Sequence, residues 1–505
     1  MTNINAWLPL AILFSSFGAG IIIFFLREES VALRTTLNLG GSLLKLVLIG
    51  IMVNGLFAGV QYQAVLPFLP GITLVLKADS LAVFFAALSA VLWLLTTIYA
   101  VGYLENSPNR SRFFGFFSLC VSATVGVSLA GDLITFLLFY EMLTLATYPL
   151  VVHRGTPEAL RAGKIYLYYT VAGGVLLLLG TAWLWSWFGD LTFGAGVIAA
   201  EAGEGDHLRL QVIFVLLIAG MGVKAALVPL CGWLPIAMAA PAPVSALLHA
   251  VAVVKAGAFG IFRVVVDLYG LGFSQLLGVL PLLTILTSVT IIYGSLRALS
   301  ENNLKRRLAW STVSQVSYIG LGVSLAGPMA VTGGLVHLVH QGLMKITLFF
   351  CAGNLSETLG IHRIDEMAGL GRRMPWTMGA FTIGALGMIG LPPLAGFFSK
   401  WYLGWGALAS GQPWILAVLA VSTLLNGAYF LPLLHRVWFI EPTTRPERER
   451  RAAQAGHRRG GHEANGMLLI PSLITALLVV VAGLLAAAPW SPLSWAKFIV
   501  SGGFP

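Results

Sequence analysis

Long apolar segments recur along the chain and are separated by short polar ones. A membrane-spanning α-helix needs about 20 consecutive apolar residues. By that measure the sequence predicts fourteen spans, near residues 6–26, 37–58, 79–102, 113–130, 133–152, 164–187, 211–237, 243–265, 274–296, 308–326, 329–353, 376–403, 413–436 and 466–488. Proline and glycine interrupt the seventh and twelfth spans, so we expect these two helices to be broken. The pattern therefore predicts an all-α polytopic membrane protein.

The composition supports a membrane protein and argues against several other classes. Hydrophobic residues make up 58% of the 505 residues and charged residues only 10%, whereas soluble domains average about 25% charged residues. Cys120, Cys231 and Cys351 are far apart in apolar sequence, which does not indicate a disulfide, a metal site or an iron–sulfur site. The sequence contains no dinucleotide-binding or P-loop motif. We therefore expect no cofactor, no metal and no redox site in this chain.

The positions of lysine and arginine predict the orientation of the spans. The loops after spans 1, 3, 5, 9, 11 and 13 contain 21 of the 30 basic residues. The loops on the other side contain only Lys77, Arg209 and Arg263, and one of them, residues 190–206, is acidic. By the positive-inside rule the arginine-rich face is cytoplasmic, and both termini lie on the outer side of the cell membrane. The net charge of +10 thus reflects membrane orientation and does not indicate a nucleic-acid partner.

The order of the spans divides the chain into four regions. Residues 1–112 contain helices 1–3, residues 113–265 a first five-helix repeat (helices 4–8), residues 266–439 a second (helices 9–13), and residues 440–505 a basic cytoplasmic loop and helix 14. The two interrupted spans, 7 and 12, occupy corresponding positions in the two repeats. Broken helices in corresponding positions are typical of an ion path.

Several ionisable side chains lie inside predicted spans. These are the acid Glu141 in span 5 and, in spans 7, 8, 11 and 12, the bases Lys224, His249, Lys255, His337, His340, Lys345 and Lys400. A lysine at the centre of a membrane helix costs about 2.5–3.5 kcal/mol, so we expect these groups to line a hydrated path inside the protein. Lys45 lies near one end of its span, and we interpret it as a side chain that snorkels to the membrane surface.

These residue types can transfer protons. A free lysine is too basic to release a proton near neutral pH, but burial lowers the pKa of an amine and a nearby carboxylate raises it again. A change in the separation of Glu141 and Lys224 would therefore act as a switch. His337 and His340 share a helix face, and Lys345 projects about 80° from His337, near enough for the same cavity wall. We predict one lateral relay through all eight residues.

Each of these residues also has a structural alternative. Glu141, Lys224 and Lys400 could form internal ion pairs that fix the packing of helices, and His249 could satisfy a backbone carbonyl that a proline frees. The two histidines of span 11 could act as polar contacts between helices. Asp132, at the start of span 5, is interpreted as a helix N-cap.

Four sequence motifs resemble a known family. The fifth span contains LITFLLFYEMLTLATYPLV, the seventh and eighth contain KAALVPLCGWLPIAMAAPAPVSALLHAVAVVKAGAFGIFRV, the eleventh contains HLVHQGLMKITLFFCAG and the twelfth contains GLPPLAGFFSKW. These motifs are similar to the corresponding helices of antiporter-like subunits. Such subunits occur in multisubunit Mrp cation/proton antiporters, respiratory complex I and membrane-bound hydrogenases.

The resemblance extends from Leu81 to Phe439. It implies a fourteen-helix fold with two inverted five-helix repeats and broken helices 7 and 12. It also implies proton-translocation roles for Glu141, Lys224, Lys255 and Lys400. The VVKAGAF motif and the lysine of the twelfth span are most similar to the D-type Mrp subunit and its hydrogenase relatives.

Residues and resemblance together predict a proton-translocating subunit that works with other membrane subunits in a larger complex. The preferred interpretation is an Mrp-type complex that exchanges Na⁺ or K⁺ for protons. One alternative is a proton-pumping subunit of a redox complex of the NADH:quinone oxidoreductase or hydrogenase type, and another is a membrane subunit of an inorganic-carbon uptake complex. A stand-alone solute carrier is disfavoured, because the ionisable residues form a line and not a cluster.

Overall fold

The computed structural model describes residues 4–105, 107–194, 197–441 and 463–503, which are mostly helical. The α-helices are α1 Ile4–Phe24, α2 Val31–Phe57, α3 Ser80–Tyr103, α4 Arg110–Leu129, α5 Leu133–Val151, α6 Pro157–Phe188, α7 Val197–Glu201, α8 His207–Lys224, α9 Trp233–Ile236, α10 Ala242–Ala246, α11 Val253–Arg263, α12 Leu271–Leu276, α13 Leu280–Ser300, α14 Leu304–Ser324, α15 Pro328–Leu359, α16 Leu370–Arg373, α17 Pro375–Ile389, α18 Ala395–Ala409, α19 Trp414–Phe439, α20 Gly466–Leu484 and α21 Pro492–Val500. The polytopic all-α fold class is confirmed. Most of the predicted basic loop before α20 lies outside the described residues.

Twelve helical segments in the described part of the chain are long and apolar enough to cross a membrane. The two other predicted spans are also helical. The tenth corresponds to α14, which is buried but carries many polar side chains, and the twelfth corresponds to the pair α17 and α18. The inverted relation of the two repeats stays a prediction.

Both predicted helix breaks are present. α8 ends at Lys224, and the chain is not helical again until Trp233. α17 ends at Ile389 and is followed by Gly390 with a φ of 91°, before α18 begins at Ala395. Each break leaves backbone carbonyl groups at the end of a half-helix without intrahelical donors. At the first break the carbonyls of Gly222 and Val223 accept from backbone N–H groups of the break itself. At the second break the carbonyls of Met388 and Ile389 accept from Lys400.

The eighth span is less regular than its sequence indicates. Two π-helical segments, Leu247–Val251 and Val264–Leu268, flank α11. The first segment contains His249, and the residue that follows it, Ala252, has a φ of −113° and a ψ of −84°, which place a kink there. π-Segments inside helices occur frequently at functional sites.

A β-hairpin joins α2 to α3, a feature that the hydrophobic pattern did not predict. Strands β1 Tyr62–Leu69 and β2 Ile72–Ala78 pair antiparallel, with Tyr62 opposite Ala78. The hairpin is attached to the linker between α4 and α5, because the Gly131 N–H donates to the Val75 carbonyl at 2.8 Å. Asp132 in that linker caps α5 by accepting from the Thr135 N–H, as predicted.

The most buried elements are the segments around α11 and α15. Every residue in the apolar windows of 242–268 and 328–359 is buried, compared with 28% of the residues in the window of α1 and 33% in that of α2. These two segments contain five of the eight predicted relay residues. The polar groups therefore lie in the centre of the bundle.

A buried charge cluster fixes the end of α11. Arg263 donates hydrogen bonds to both carboxylate oxygens of Asp79, at 2.7 and 2.9 Å, and to Asp267 at 2.6 Å. The Arg263 side chain is 2% exposed. Asp79 also caps α3 through the Ala82 N–H, so this cluster joins α3 to α11.

We expect Arg263→Gln to destabilise the assembled protein by about 3–5 kcal/mol, because two partly buried carboxylates lose their counter-charge. The measurement is the melting temperature of the detergent-solubilised complex. Arg306→Gln is the control, since its pair with Glu301 spans 3.5 Å at an exposed site and contributes about 1 kcal/mol or less. Equal shifts in the two variants would contradict a structural role for the cluster.

Candidate functional site

Glu141 lies on α5 at the side of the bundle. Its carboxylate packs against Gly174 of α6, where a Cβ would lie 2.6 Å from Oε1. It borders a cavity of about 360 Å³ whose other lining side chains are apolar, among them Phe68 and Leu178. Its buried Oε1 has no hydrogen-bond partner among the described residues. Gly174 thus leaves the space that this carboxylate occupies.

Lys224 is the last residue of α8 and is fully buried. Its Nζ donates to the Tyr140 carbonyl and lies 3.4 Å from the centre of the Tyr140 ring. Glu141, the next residue along α5, attracts the amine electrostatically, but the two do not form an ion pair within 4.0 Å. The Glu141 carboxylate and the Lys224 amine are therefore neighbours, and the amine bonds the Tyr140 carbonyl instead of the carboxylate.

Lys255 and His249 lie on opposite sides of the kink at Ala252, and both are fully buried. The Lys255 Nζ donates to the Leu338 carbonyl of α15 at 2.7 Å. The His249 ring stacks on Phe349, with ring centres 4.6 Å apart, and its two nitrogens have no partner in the described part of the protein. The imidazole therefore has both nitrogens free to bond water.

The two histidines of α15 face α18. His337 Nδ1 lies 2.8 Å from the Ser399 hydroxyl oxygen. His340 lies near the Ala395 backbone, but neither of its ring nitrogens has a hydrogen-bond partner within the described residues. The His337 ring also lies 5.1 Å from the ring of Tyr318 on α14. Both histidines are fully buried. They lie against the first turns of α18, the half-helix that follows the second break.

Lys345 faces α14. Its Nζ donates to the Leu308 carbonyl at 3.0 Å and to the Ser311 hydroxyl. Because His337 also contacts α14 through Tyr318, α14 forms the wall that Lys345 and His337 share. The sequence predicts one wall for the two residues but does not indicate which helix supplies it.

Lys400 lies in α18, just after the second break. Its Nζ donates to the carbonyls of Met388 and Ile389, at 3.3 and 2.8 Å, and to the Thr423 hydroxyl at 3.2 Å. A carbonyl at the end of α17 thus binds Lys400, whereas Lys224 binds a carbonyl of a neighbouring helix. Lys400 is partly exposed, so the row of polar groups reaches the side of the bundle at this end as it does at Glu141.

Electrostatic interactions connect these groups into a row. Glu141 interacts with Lys224, and Lys255 interacts with both His337 and Lys345. Between Lys224 and Lys255 the two helices are in close contact at Gly257. A Cβ there would lie 2.8 Å from the Lys224 carbonyl carbon, so a larger residue would push α11 away from the end of α8.

Sequence reasoning missed several polar neighbours of this row. The buried side chain of Gln315 on α14 has neither its oxygen nor its nitrogen bonded within the described residues, and the same holds for the Gln341 side-chain oxygen. Buried polar atoms of this kind usually bond ordered water. The sequence does show a polar residue inside an apolar span at these positions. An uncharged polar residue is a weaker indication of a functional site than a charged one.

We expect Gly257→Ala to force α11 away from the end of α8 and to lower both thermal stability and ion exchange. Overpacking of this kind typically costs about 1–3 kcal/mol. The control is Gly379→Ala, since a Cβ at Gly379 meets nothing within 4 Å. Melting of the purified complex and transport in vesicles measure the two effects, and a Gly257→Ala protein that matches the control would contradict the close contact.

Comparison with known proteins identifies the family. A family model described as "NADH:quinone oxidoreductase/Mrp antiporter, TM" matches residues 130–426. The chain belongs to this family. All eight residues of the polar row lie within the matched segment.

Relatives in the family include subunits of NADH-quinone oxidoreductases, of Na⁺/H⁺ antiporters and of a hydrogenase. The chain is 36% identical to the N-type subunit of the NADH-quinone oxidoreductase of Desulforudis audaxviator over 82% of each chain. It is 28% identical to the D-type subunit of the Na⁺/H⁺ antiporter of Bacillus subtilis over 95% of this chain and 94% of the relative. Membership in the family is thus shown, and the relatives divide between redox complexes and antiporters.

Two solved structures have the same fold. An archaeal membrane-bound sulfane sulfur reductase contains a chain with a TM-score of 0.84 and 25% identity, covering 99% of this chain and 98% of the other. The Mrp complex from Dietzia sp. DQ12-45-1b contains one with the same score, 23% identity and the same coverage. Both structures are multisubunit membrane complexes.

Proposed function

We propose that this chain is a proton-translocating subunit of a multisubunit complex in the cell membrane, of the Mrp type that exchanges Na⁺ or K⁺ for protons. The observation that carries the proposal is the row of buried lysines whose amines bond neutral oxygens. Lys224, Lys255 and Lys345 bond backbone carbonyls or hydroxyls, and so does Lys400. In the described residues none of them has a carboxylate within 4.0 Å.

A neutral oxygen suits an amine that changes its protonation state. Both the charged and the neutral amine can donate a hydrogen bond to a carbonyl, whereas a carboxylate in contact would favour the charged form. The bonds seen for Lys224 and Lys255 therefore persist before and after a proton leaves. The unbonded polar atoms of His249 and Gln315 provide positions for the water molecules that would connect the amines.

The ends of the row support a place among other membrane subunits. Glu141 borders a cavity at the side of the bundle, and Lys400 is partly exposed at the other end. An ionisable group facing lipid is costly, so we infer that neighbouring subunits cover both ends. The distribution of basic residues supports a cytoplasmic arginine-rich face and outward-facing termini.

A second candidate is the proton-pumping subunit of a redox complex. The higher identity to a subunit named for NADH–quinone oxidoreduction favours it. In that case the electron-transfer groups would belong to partner subunits, and the row of amines would have the same role.

Reconstitution of the complete complex into proteoliposomes tests the proposal. An Mrp-type complex moves protons when a Na⁺ or K⁺ gradient is imposed without any reductant, and a pH-sensitive dye in the lumen measures this movement. Proton movement that requires NADH or another electron donor would favour the redox candidate. Absence of proton movement under both conditions would contradict both candidates.

A further inference from the structure

Lys45 is a buried lysine that does not belong to the row described above. It lies in the middle of α2, is fully buried, and donates a hydrogen bond to the Ser16 hydroxyl of α1. Its Nζ is 4.9 Å from the centre of the Trp93 ring on α3. The interpretation that Lys45 snorkels to the membrane surface is therefore wrong, because the side chain points between three helices.

The surroundings of Lys45 contain no counter-charge. α2 packs against α1, α3 and α4. α1 has no titratable side chain, and those of α3 are Tyr99 and Tyr103, toward the arginine-rich face. In α4 they are Arg110 and Arg112 in its first turn, and Cys120. Cys120 contacts Thr147 of α5. None of these residues is an acid, and the described part of the chain places no carboxylate within 4.0 Å of the amine.

A row of buried polar side chains leads from Lys45 to the arginine-rich face. Arg34, Asn38, Ser42 and Lys45 follow one another at intervals of three or four residues on one face of α2, and all are buried. The row is about 17 Å long at 1.5 Å per residue, which is roughly half the thickness of the hydrocarbon core. Lys45 therefore lies near the depth of the membrane centre.

Partners on α4 continue this row to the surface. Ser118 donates to Asn38 at 3.3 Å, and Arg34 donates to the Ser111 hydroxyl at 2.9 Å. The Ser111 N–H in turn donates to the Glu28 carboxylate at 3.0 Å. Partial burial of the Glu28 side chain raises the pKa of its carboxyl group. The backbone N–H bonds and the nearby arginines outweigh this effect and hold the pKa of Glu28 below its ordinary value. The charged carboxylate of Glu28 thus lies at the end of the polar row that reaches the arginine-rich face.

Packing alone does not require a lysine at the buried end. Small polar residues suffice as contacts between membrane helices, whereas an amine at this depth costs about 2.5–3.5 kcal/mol. On the other side of Lys45, Trp93 Nε1 and the Ser89 hydroxyl are buried and unbonded in the described structure. Both lie on α3, which packs against α15 and the π-segment with His249.

We propose that Lys45 is a further proton-carrying amine, which takes protons from the arginine-rich face along the polar row of α2 and passes them across α3 toward the central row. This inference rests on the proposed function. In the transfer, a protonated Lys45 gives one proton to water beside α3 and regains one from water beside Ser42. No other bond changes.

Exchange by the complete complex in everted membrane vesicles tests this role, with Lys45→Met, Lys45→Arg and Lys45→His. We expect Met and Arg to lower exchange at least about tenfold while the complex assembles, since Met carries no proton and Arg does not release one. We expect His to shift the pH optimum to lower pH, because imidazole titrates below an amine. Lys497→Met is the control, since Lys497 is exposed beside the Tyr402 ring.

The possible outcomes separate this inference from the proposed function. Normal exchange with Met would overturn the role of Lys45, and so would normal exchange with Arg, which would indicate a fixed structural cation. Loss of assembly in all three variants would assign Lys45 to packing and would also overturn it. A wild-type complex without exchange would overturn the proposed function and this inference with it.

Discussion

We expect Lys224→Ala to abolish ion exchange in everted vesicles while the complex continues to assemble. The expected loss is about 10²-fold or more, the contribution that a positioned proton-transfer group makes. Lys224 is the amine nearest to Glu141 and is the last residue of α8 before the first helix break. Its removal therefore interrupts the row at its beginning. Lys224→Arg fails as well, because a guanidinium keeps its proton.

A pH-sensitive dye reports exchange in these vesicles, and native gels report assembly. The matched control is Lys164→Ala, since Lys164 is an exposed lysine near the start of α6. Normal exchange in both Lys224 variants would show that the amine only holds α8 against Tyr140.

Glu141→Gln has the second largest expected effect, a loss of about 10²-fold in exchange. Glutamine has the shape of glutamate and fits the space beside Gly174, but it cannot become charged. The variant therefore tests the charge that acts on Lys224 and not the packing of α5. Gly174→Ala leaves the acid in place but displaces its carboxylate, and we expect an intermediate loss.

Glu158→Gln is the control for the acid, since Glu158 is exposed in the first turn of α6. Exchange is measured at several pH values in the same vesicles. Wild-type rates in Glu141→Gln across that range would exclude a role for the negative charge and leave Glu141 a packing residue.

Much of the helical architecture could be predicted from the sequence, because lipid imposes one rule on every span. Each helix must be long and apolar, so α5 and α15 can be recognised in the sequence as apolar segments. Prolines and glycines indicate the breaks after Lys224 and Ile389. The cap at Asp132 is equally local, since it depends on residues three positions apart.

The features that sequence reasoning missed depend on contacts between distant segments. The π-segment around His249 contains no proline or glycine, so its irregular backbone has no local signal. The hairpin strands are short and lie between two strongly apolar spans, so the sequence indicates only a loop there. The sequence favours a position at the membrane surface for Lys45, because a hydrophobic pattern does not show which side of α2 faces Ser16 and Trp93. The roles of the eight relay residues stay predictions.

In the proposed relay, the electrostatic interaction of Lys255 with both His337 and Lys345 would limit how many of these groups are protonated at once. Two unit charges about 10 Å apart, at an effective dielectric constant of about 20, repel each other by about 1.7 kcal/mol. In the proposed relay, a charge on one group would therefore disfavour a charge on a neighbour at that distance more than tenfold. A proton that arrives at one end of the row would then favour release of another proton at the other end, so no single proton would cross the whole width of the protein.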